Sequence, residues 1–329
     1  MKKLINRPED IVAESLEGLA ISHSDILVVQ PGARFVRRRT LGRGKVALVS
    51  GGGSGHDPLH AGFVGKGMLD AACMGEIFTS PTPDQIVAAI NAVETGAGTL
   101  LVVKNYDGDV MNFDMAAEMC DHALRSILVT DDVSIPIDGR STGARGVAGT
   151  LIVEKILGAA AEMGWPLDRL MILGERLVAQ TKSMGVALTS CTVPANRTPT
   201  FELNDDEMEL GVGIHGERGQ TRVKLDNADA IARHLVSKVL QCLPVSESGD
   251  ALILINGFGA TPLIELNLMA RSVDQAVRHA GLRPVRYLVG NYVTALDMAG
   301  CSVTITLLDA EIEALWDAPV HTSALRWGC

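Results

Sequence analysis

Three short segments of the sequence combine glycines with side chains that can bind a small polar molecule and move a proton. They are residues 51–56 (GGGSGH), 104–109 (KNYDGD) and 213–217 (GIHGE). The candidate positions are Gly52, Gly53, Ser54 and His56 in the first segment, Lys104 and Asp109 in the second, and His215 in the third. Carboxylates and imidazoles are common general acids and bases, and glycines let a ligand approach the backbone closely. The segments predict a single site if the fold brings them together.

The glycine-rich segment follows residues 46–50 (VALVS), an apolar run that predicts a buried strand. In α/β proteins, ligands bind outside the carboxyl ends of strands, and the glycines stand at such an end. No Gly-Lys-Ser/Thr triplet follows, and Asp57 and Pro58 stand where a dinucleotide-binding motif would open a helix. The segment is therefore neither a P-loop nor a dinucleotide motif. A tight turn without a ligand is the alternative interpretation.

Each ionisable candidate also has a purely structural interpretation. Lys104 could be a solvated strand end, and Asp109 could cap a helix that begins at Val110, because aspartate is favoured at that position. His215 could bond to nearby carbonyl groups. Taken together, three glycine-flanked groups at predicted strand ends favour a site.

His56 and His60 are four residues apart, which is a spacing seen in metal-binding helices. Pro58 lies between them, and no third ligand is spaced nearby. We therefore expect no metal at these histidines.

The elements that must position these residues follow a strand–helix alternation, with polar residues gathered where strands end. This pattern predicts two α/β domains, each a mixed or largely parallel sheet flanked by helices. The proline-bearing stretch at 193–199 predicts the border. Residues 1–192 would carry the glycine-rich segment and residues 193–329 would carry His215. The arginine-rich stretch at 34–39 (RFVRRR) predicts a solvated edge.

The composition excludes several classes of partner. The chain has 329 residues, a formal net charge of −10 and only 4% aromatic residues, which argues against binding to nucleic acid or to an anionic membrane. No apolar run is long enough to span a membrane, and the N-terminus (MKKLINRPED) lacks the apolar core of a signal peptide. The six cysteines are scattered without a CxxC pair, as is typical of reduced thiols. We expect a cytoplasmic protein.

The chain resembles the K subunits of dihydroxyacetone kinases nearly from end to end, with recognisable blocks from Leu4 to Trp327. The resemblance rests on the three segments above, in that order and spacing. The first segment lies within a longer matching block, VALVSGGGSGHDPLHAGFVGKGMLDAACMGEIFTSPTPDQI, and three further blocks match: LTSCTVPA, NGFGATPLIEL and LWDAPVHTSALRWG.

The resemblance implies a role for each candidate. It implies that His215 binds the ketone covalently as a hemiaminal, and that His56 and Asp109 are the acid/base pair around the reacting hydroxyl. A substrate-binding role is implied for Gly52, Gly53, Ser54 and Lys104. Covalent capture requires a carbonyl group, so it would discriminate dihydroxyacetone from glycerol, which noncovalent contacts would separate poorly.

The resemblance also implies where the phosphoryl donor comes from. In the family the nucleotide is bound by an all-helical partner, which is either fused downstream or a separate L subunit. Because the chain ends at Cys329, shortly after its last matching block, we expect a separate subunit. That subunit would hold ATP, or ADP re-phosphorylated by a phosphotransferase-system protein, with Mg²⁺. No cofactor is expected on this chain, which by resemblance would form a homodimer.

The expected function is that of the dihydroxyacetone-binding subunit of a kinase that forms dihydroxyacetone phosphate. One alternative is a kinase for a longer ketose such as erythrulose, because one extra carbinol is a modest change of pocket. Another is a ketone-sensing transcriptional coactivator without turnover. Intact Asp109 and His56 argue against the coactivator, since sensing requires only capture of the ketone.

Overall fold

The computed structural model describes residues 2–30, 32, 34–134, 143–244 and 249–329. The helices are α1 (Ile11–Ser22), α2 (Pro83–Val93), α3 (Asp107–Glu118), α4 (Gly149–Glu162), α5 (Leu167–Gln180), α6 (Ala228–Cys242), α7 (Leu263–His279) and α8 (Ala310–Asp317). Short 3-10 helices span Pro8–Asp10 and Ala61–Phe63.

The strands include most of those that the alternation predicts. They are β1 (Leu27–Gln30), β2 (Phe35–Arg38), β3 (Ala47–Ser54), β4 (Gly65–Lys66), β5 (Ala71–Ile77), β6 (Thr99–Lys104), β7 (Leu124–Val129), β8 (Thr181–Ala187), β9 (Glu207–Leu210), β10 (Thr221–Lys224), β11 (Asp250–Gly257), β12 (Arg283–Gly290), β13 (Gly300–Leu308), β14 (Val320–Thr322) and β15 (Arg326–Trp327).

The first of two compact units comprises Met1–Val129, Thr150–Glu175 and Ile312–Cys329. Its main sheet has the order β1-β2-β5-β3-β6-β7, in which the last four strands run parallel. The carboxyl ends of β5, β3 and β6 therefore share one edge. Apolar side chains of α2 and α3 pack on one face of this sheet, where Ile86, Ile90 and Phe113 join strand residues Val49 and Leu101 in a buried cluster.

The second unit comprises Thr130–Gly149 and Arg176–Glu311. Its six-stranded sheet has the order β10-β9-β8-β13-β11-β12, and only the β11–β12 pair of these strands is parallel. Helices α6 and α7 pack on it through residues such as Leu235 and Val273. Both units are α/β with mixed sheets flanked by helices, which confirms the expected fold class, although the second sheet is mostly antiparallel.

The structure divides the chain differently from the expected border at residue 193. Strand β8 lies before that border but pairs with β13 in the second sheet, and β14 near the C-terminus pairs with β4 of the first unit. Long-range strand pairing thus decides which unit a segment joins. The 193–199 stretch is a loop within the second unit, closed by a bridge between Thr192 and Pro199.

Residues 35–38 of the arginine-rich stretch form strand β2 rather than a solvated edge, and Arg39 after it is exposed. Arg38, at the end of β2, is buried and forms ion pairs with Asp70 and Glu162. Lys45 also contacts Asp70, at 2.6 Å. A buried guanidinium needs such carboxylate partners, which lie far away in sequence and leave no local signal.

Candidate active site

The glycine-rich segment is the last part of β3, and all eight residues of this strand are buried. A Cβ atom on Gly53 would lie 2.6 Å from the Thr79 amide nitrogen, and one on Gly52 would lie 2.2 Å from Lys104 Nζ. Both positions therefore need glycine because neighbouring groups approach the bare Cα atoms. The turn interpretation does not account for this close approach of a cation to Gly52.

Ser54 and His56 complete this end of β3. The Ser54 hydroxyl donates to the Gly75 carbonyl at 2.7 Å, so it ties the end of β3 to β5. His56 is fully buried, and its ring stacks on Phe78 with 5.2 Å between centroids. The imidazole is thus oriented by a neighbour from the loop that follows β5.

Lys104 is the last residue of β6 and is fully buried, so it is not a solvated strand end. Its ammonium group donates to the Gly51 carbonyl at 2.9 Å and lies 3.1 Å from Asp109 Oδ2. The third contact is with His60 Nε2 at 2.9 Å. Three contacts from different elements hold the charge at the shared sheet edge.

Asp109 is the third residue of α3, because the helix begins at Asp107 with Tyr106 as its N-cap. It is therefore not the cap that the structural interpretation required. Its Oδ1 accepts a hydrogen bond from the Ser80 hydroxyl. Its Oδ2 is buried and makes no hydrogen bond among the described residues, although it lies beside the Lys104 ammonium. The first turn of a helix also favours a carboxylate.

Two residues that the sequence interpretation did not assign to the site lie directly behind Lys104. His60 Nδ1 is 2.6 Å from Glu154 Oε1, and both side chains are fully buried. Burial, together with Lys104 and His56, lowers the pKa of His60 well below its usual value. Burial raises the pKa of Glu154 to about 8, against the opposing effect of Lys104. The adjacent charges of Glu154 and Lys155 inside the largely apolar residues 147–161 are the signal that could have found it.

His215 lies in the second unit, in the loop between β9 and β10. Strand β9, which leads into this loop, ends at Leu210. The His215 amide donates to Glu217 Oε2 at 2.8 Å, and the other Glu217 oxygen lies 2.7 Å from Arg145 Nη1. A local carboxylate thus fixes the backbone that carries the imidazole.

Arg145 ties this loop to its own unit. Its guanidinium pairs with Asp132 at 2.6 Å and donates to the Gly211 carbonyl at 2.9 Å. It also donates to the Ser134 hydroxyl at 3.0 Å. The turn at 211–217 is therefore held at both ends. That His215 acts with the residues of the first unit stays a prediction.

Within the described part of the chain, no group of three or more His, Cys, Asp or Glu side chains is arranged to hold a metal ion. None of the helices described is both long enough and apolar enough to cross a membrane.

Comparisons with known proteins agree with one another. Residues 17–324 match the Dak1 domain family. Over 314 residues the chain is 48% identical to the PTS-dependent dihydroxyacetone kinase 1, dihydroxyacetone-binding subunit DhaK, of Listeria innocua, covering 94% of this chain and 95% of that protein.

Two solved structures are similar over nearly the whole chain. The dihydroxyacetone kinase of C. freundii matches with a TM-score of 0.90 and 36% identity, covering 99% of this chain and 60% of that one. The dihydroxyacetone kinase operon co-activator Dha-DhaQ matches with a TM-score of 0.89 and 33% identity, covering 94% of this chain and 96% of that one.

Proposed function

This chain belongs to the Dak1-domain family, and from that premise we propose that it is the dihydroxyacetone-binding subunit of a dihydroxyacetone kinase. The reaction is phosphoryl transfer to an alcohol group. The bacterial relative of similar length carries this name, and the site residues of the first unit suit the chemistry. The chain binds and activates the acceptor, and a separate subunit supplies the donor.

The first step is covalent capture of the ketone by His215. A lone pair on one ring nitrogen forms a bond to the carbonyl carbon, and the carbonyl π electrons move to the oxygen. That oxygen takes up a proton and the ring loses one, so the product is a neutral hemiaminal and no group leaves. Glu217 and Arg145 support this step by fixing the backbone at His215.

The second step is transfer to a terminal hydroxyl. The hydroxyl oxygen forms a bond to the donor phosphorus while the bond from phosphorus to the nucleotide breaks. Asp109 Oδ2 takes the hydroxyl proton as general base. The Lys104 ammonium and the His56 imidazole stabilise negative charge on the reacting oxygens. Gly52, Gly53 and Ser54, at the end of β3, belong to the surface that binds the small substrate.

The observation that supports this assignment best is the state of Asp109. Its Oδ2 is a buried carboxylate oxygen that makes no hydrogen bond among the described residues and lies 3.1 Å from an ammonium group. A carboxylate oxygen has two lone pairs, so Oδ2 can face the Lys104 ammonium and still accept a hydrogen bond from a substrate hydroxyl.

The test is a calorimetric titration of the chain alone with dihydroxyacetone, erythrulose and glycerol, run beside His215→Ala. We expect a ketone to bind to the wild type, glycerol not to bind, and His215→Ala to show no heat of binding with either ketone. The ketone that binds better identifies the substrate. Equal binding of glycerol, or ketone binding by His215→Ala, would contradict covalent capture.

The donor completes the proposal. A helical subunit would carry ATP with Mg²⁺, or ADP re-phosphorylated by a phosphotransferase-system protein, and "PTS-dependent" in the name of the Listeria relative favours the second route. The chain mixed with ATP and Mg²⁺ alone should be inert, and the addition of a nucleotide-loaded helical subunit should start turnover. Activity without that subunit would mean that the chain binds nucleotide itself. A homodimer and a cytoplasmic location belong to the same proposal.

A second candidate function is ketone sensing without turnover. The match to a co-activator at 33% identity supports it. The buried contacts among Ser80, Lys104 and Asp109 favour the kinase, because capture of a ketone does not need a general base. Absence of turnover with every donor subunit, together with intact ketone binding, would favour the sensor.

A further inference from the structure

A line of buried polar side chains runs from the interior of the first unit to Asp109. Glu154, on α4, contacts His60 Nδ1 at 2.6 Å. His60 Nε2 lies 2.9 Å from Lys104 Nζ, which lies 3.1 Å from Asp109 Oδ2. All four side chains are at most 2% exposed. Glu154 and His60 therefore reach the proposed general base through one shared lysine.

The donors and acceptors in this line are fixed by their chemistry. An ammonium group can only donate, so His60 Nε2 must accept from Lys104. The neutral imidazole then carries its proton on Nδ1, where it can donate to Glu154 Oε1 at 2.6 Å. The lowered pKa of His60 favours this neutral form. Ser50 donates to the Val102 carbonyl and lies 3.1 Å from the same nitrogen, so its oxygen can share that proton, but Glu154 Oε1 is the nearer acceptor at 2.6 Å.

We propose that Glu154 and His60 are positioning residues that hold the Lys104 ammonium between Gly51 and Asp109 for phosphoryl transfer. The proposal rests on the proposed function, because it assigns these residues to the same reaction. Glu154 orients the imidazole, the imidazole accepts from Lys104, and the ammonium then faces Asp109 Oδ2. Neither residue contacts the substrate in this scheme.

The unfavourable desolvation of these four buried polar side chains indicates that they have a role other than stabilising the fold. Burying two carboxyl groups, an imidazole and an ammonium group requires desolvation, and apolar residues of similar volume often stabilise a core as well or better. The neighbours of Glu154 on α4 include Leu151, Ile156 and Leu157, all fully buried. An apolar residue at 154 would continue this surface, so the glutamate is explained by what it orients.

Helix α4 also provides a matched control. Glu162 lies two turns further along the same helix, and its carboxylate pairs with Arg38 near the Lys45–Asp70 pair. It contacts none of the four residues in the line. Glu162→Leu therefore tests the loss of a partly buried glutamate from α4 without a change at Lys104.

The experiment compares Glu154→Leu, Glu154→Gln and Glu162→Leu in an assay with dihydroxyacetone, ATP, Mg²⁺ and a nucleotide-loaded helical subunit. Glu154→Leu should lower kcat roughly 10- to 100-fold, because small displacements of catalytic groups have effects of this size, and should leave KM for the ketone within about twofold. Glu154→Gln keeps an acceptor for His60 and should restore most of kcat. Glu162→Leu should lower Tm and leave kcat unchanged.

A second pair of variants covers the case in which Glu154→Leu does not fold. His60→Asn keeps a polar group near Glu154 but does not reach Lys104, whereas His60→Gln can reach it. We expect the asparagine variant to lose kcat and the glutamine variant to retain more of it. Equal rates in the two variants, or wild-type kcat in Glu154→Leu, would overturn the proposal.

A crystallographic readout separates this proposal from the proposed function. In Glu154→Leu the Lys104 ammonium should leave its contact with the Gly51 carbonyl, and in Glu154→Gln it should keep it. An unmoved ammonium in Glu154→Leu would overturn the positioning role, whatever the kinetics. Asp109→Asn is assayed in parallel: if it retains wild-type turnover, the proposed base is wrong, while the position of Lys104 still decides the role of Glu154 and His60.

Discussion

At the scale of single residues, local sequence placed the glycine-rich segment and Lys104 at strand ends, as the structure has them, but did not identify the groups behind them. Lys104 and Asp109 stand in one short segment, so their closeness could be expected from the turn between β6 and α3. Glu154 is 94 residues from His60, and their contact depends on tertiary packing. Single-sequence reasoning cannot identify such a pair, although charged residues such as Glu154 and Lys155 in a largely apolar helix are a useful signal.

Gly52 gives a direct residue-scale prediction. In Gly52→Ala the new Cβ would lie 2.2 Å from Lys104 Nζ and 3.3 Å from Asp109 Oδ2, so the ammonium must move away from the carboxylate. We expect kcat to fall at least about tenfold while the protein stays folded, because the displaced atom is the far end of a side chain. Steady-state kinetics with the helical donor subunit, beside circular dichroism, measures both effects.

The control for this prediction is Gly18→Ala in α1. A Cβ at Gly18 meets nothing within 4 Å, so this variant should keep wild-type kcat and gain about 0.5–1 kcal/mol from the higher helix propensity of alanine. If Gly52→Ala matches Gly18→Ala in rate, close approach at Gly52 has no part in the reaction.

At the scale of elements, periodicity predicted most helices and strands, but it could not predict which strands pair. Strand β2 was missed because its arginines imitate a solvated edge, whereas the structure pairs Arg38 with buried carboxylates. The expected border at residue 193 placed β8 in the first domain, whereas pairing with β13 places it in the second unit. Helix α3 begins three residues before the predicted start, which moves Asp109 from the cap into the first turn.

The loop between β9 and β10 gives the element-scale prediction. Glu217→Ala removes the acceptor of the His215 amide and the partner of Arg145 Nη1. Charged hydrogen bonds of this kind contribute about 1.5–3 kcal/mol, so we expect ketone affinity to fall roughly tenfold or more. Calorimetric titration with dihydroxyacetone measures the change.

Glu207→Ala is the matched control, because it removes a glutamate from β9, the strand that leads into the same loop. Glu207 pairs with Arg222 at 3.6 Å and has no contact with His215 among the contacts described. The affinity of Glu207→Ala for the ketone should stay near that of the wild type. Unchanged affinity in Glu217→Ala would mean that the backbone of the loop is held without this carboxylate.

At the scale of the whole molecule, the buried polar line makes stability depend on pH. In the folded protein Glu154 keeps its proton up to a pKa of about 8, whereas its usual value is 4.5. The contribution of this group to stability is therefore fully present below about pH 4.5 and is lost as pH rises through 8. Glutamine at 154 cannot titrate, so the free energy of unfolding of the wild type, relative to Glu154→Gln, should fall between pH 5 and pH 8.

Tryptophan fluorescence during urea unfolding can measure this difference in the free energy of unfolding for the first compact unit. The three tryptophans of the chain, Trp165, Trp316 and Trp327, all lie in the first unit, which also contains Glu154. Their signal follows that unit even if the second unit unfolds separately. Other buried groups, such as Asp131 with its raised pKa, remain in both proteins and cancel in the comparison.

A difference in the free energy of unfolding that stays constant from pH 5 to 8 would mean that Glu154 is ionised throughout. The carboxylate would then carry a full negative charge behind Lys104, and Glu154→Gln would lose kcat nearly as strongly as Glu154→Leu.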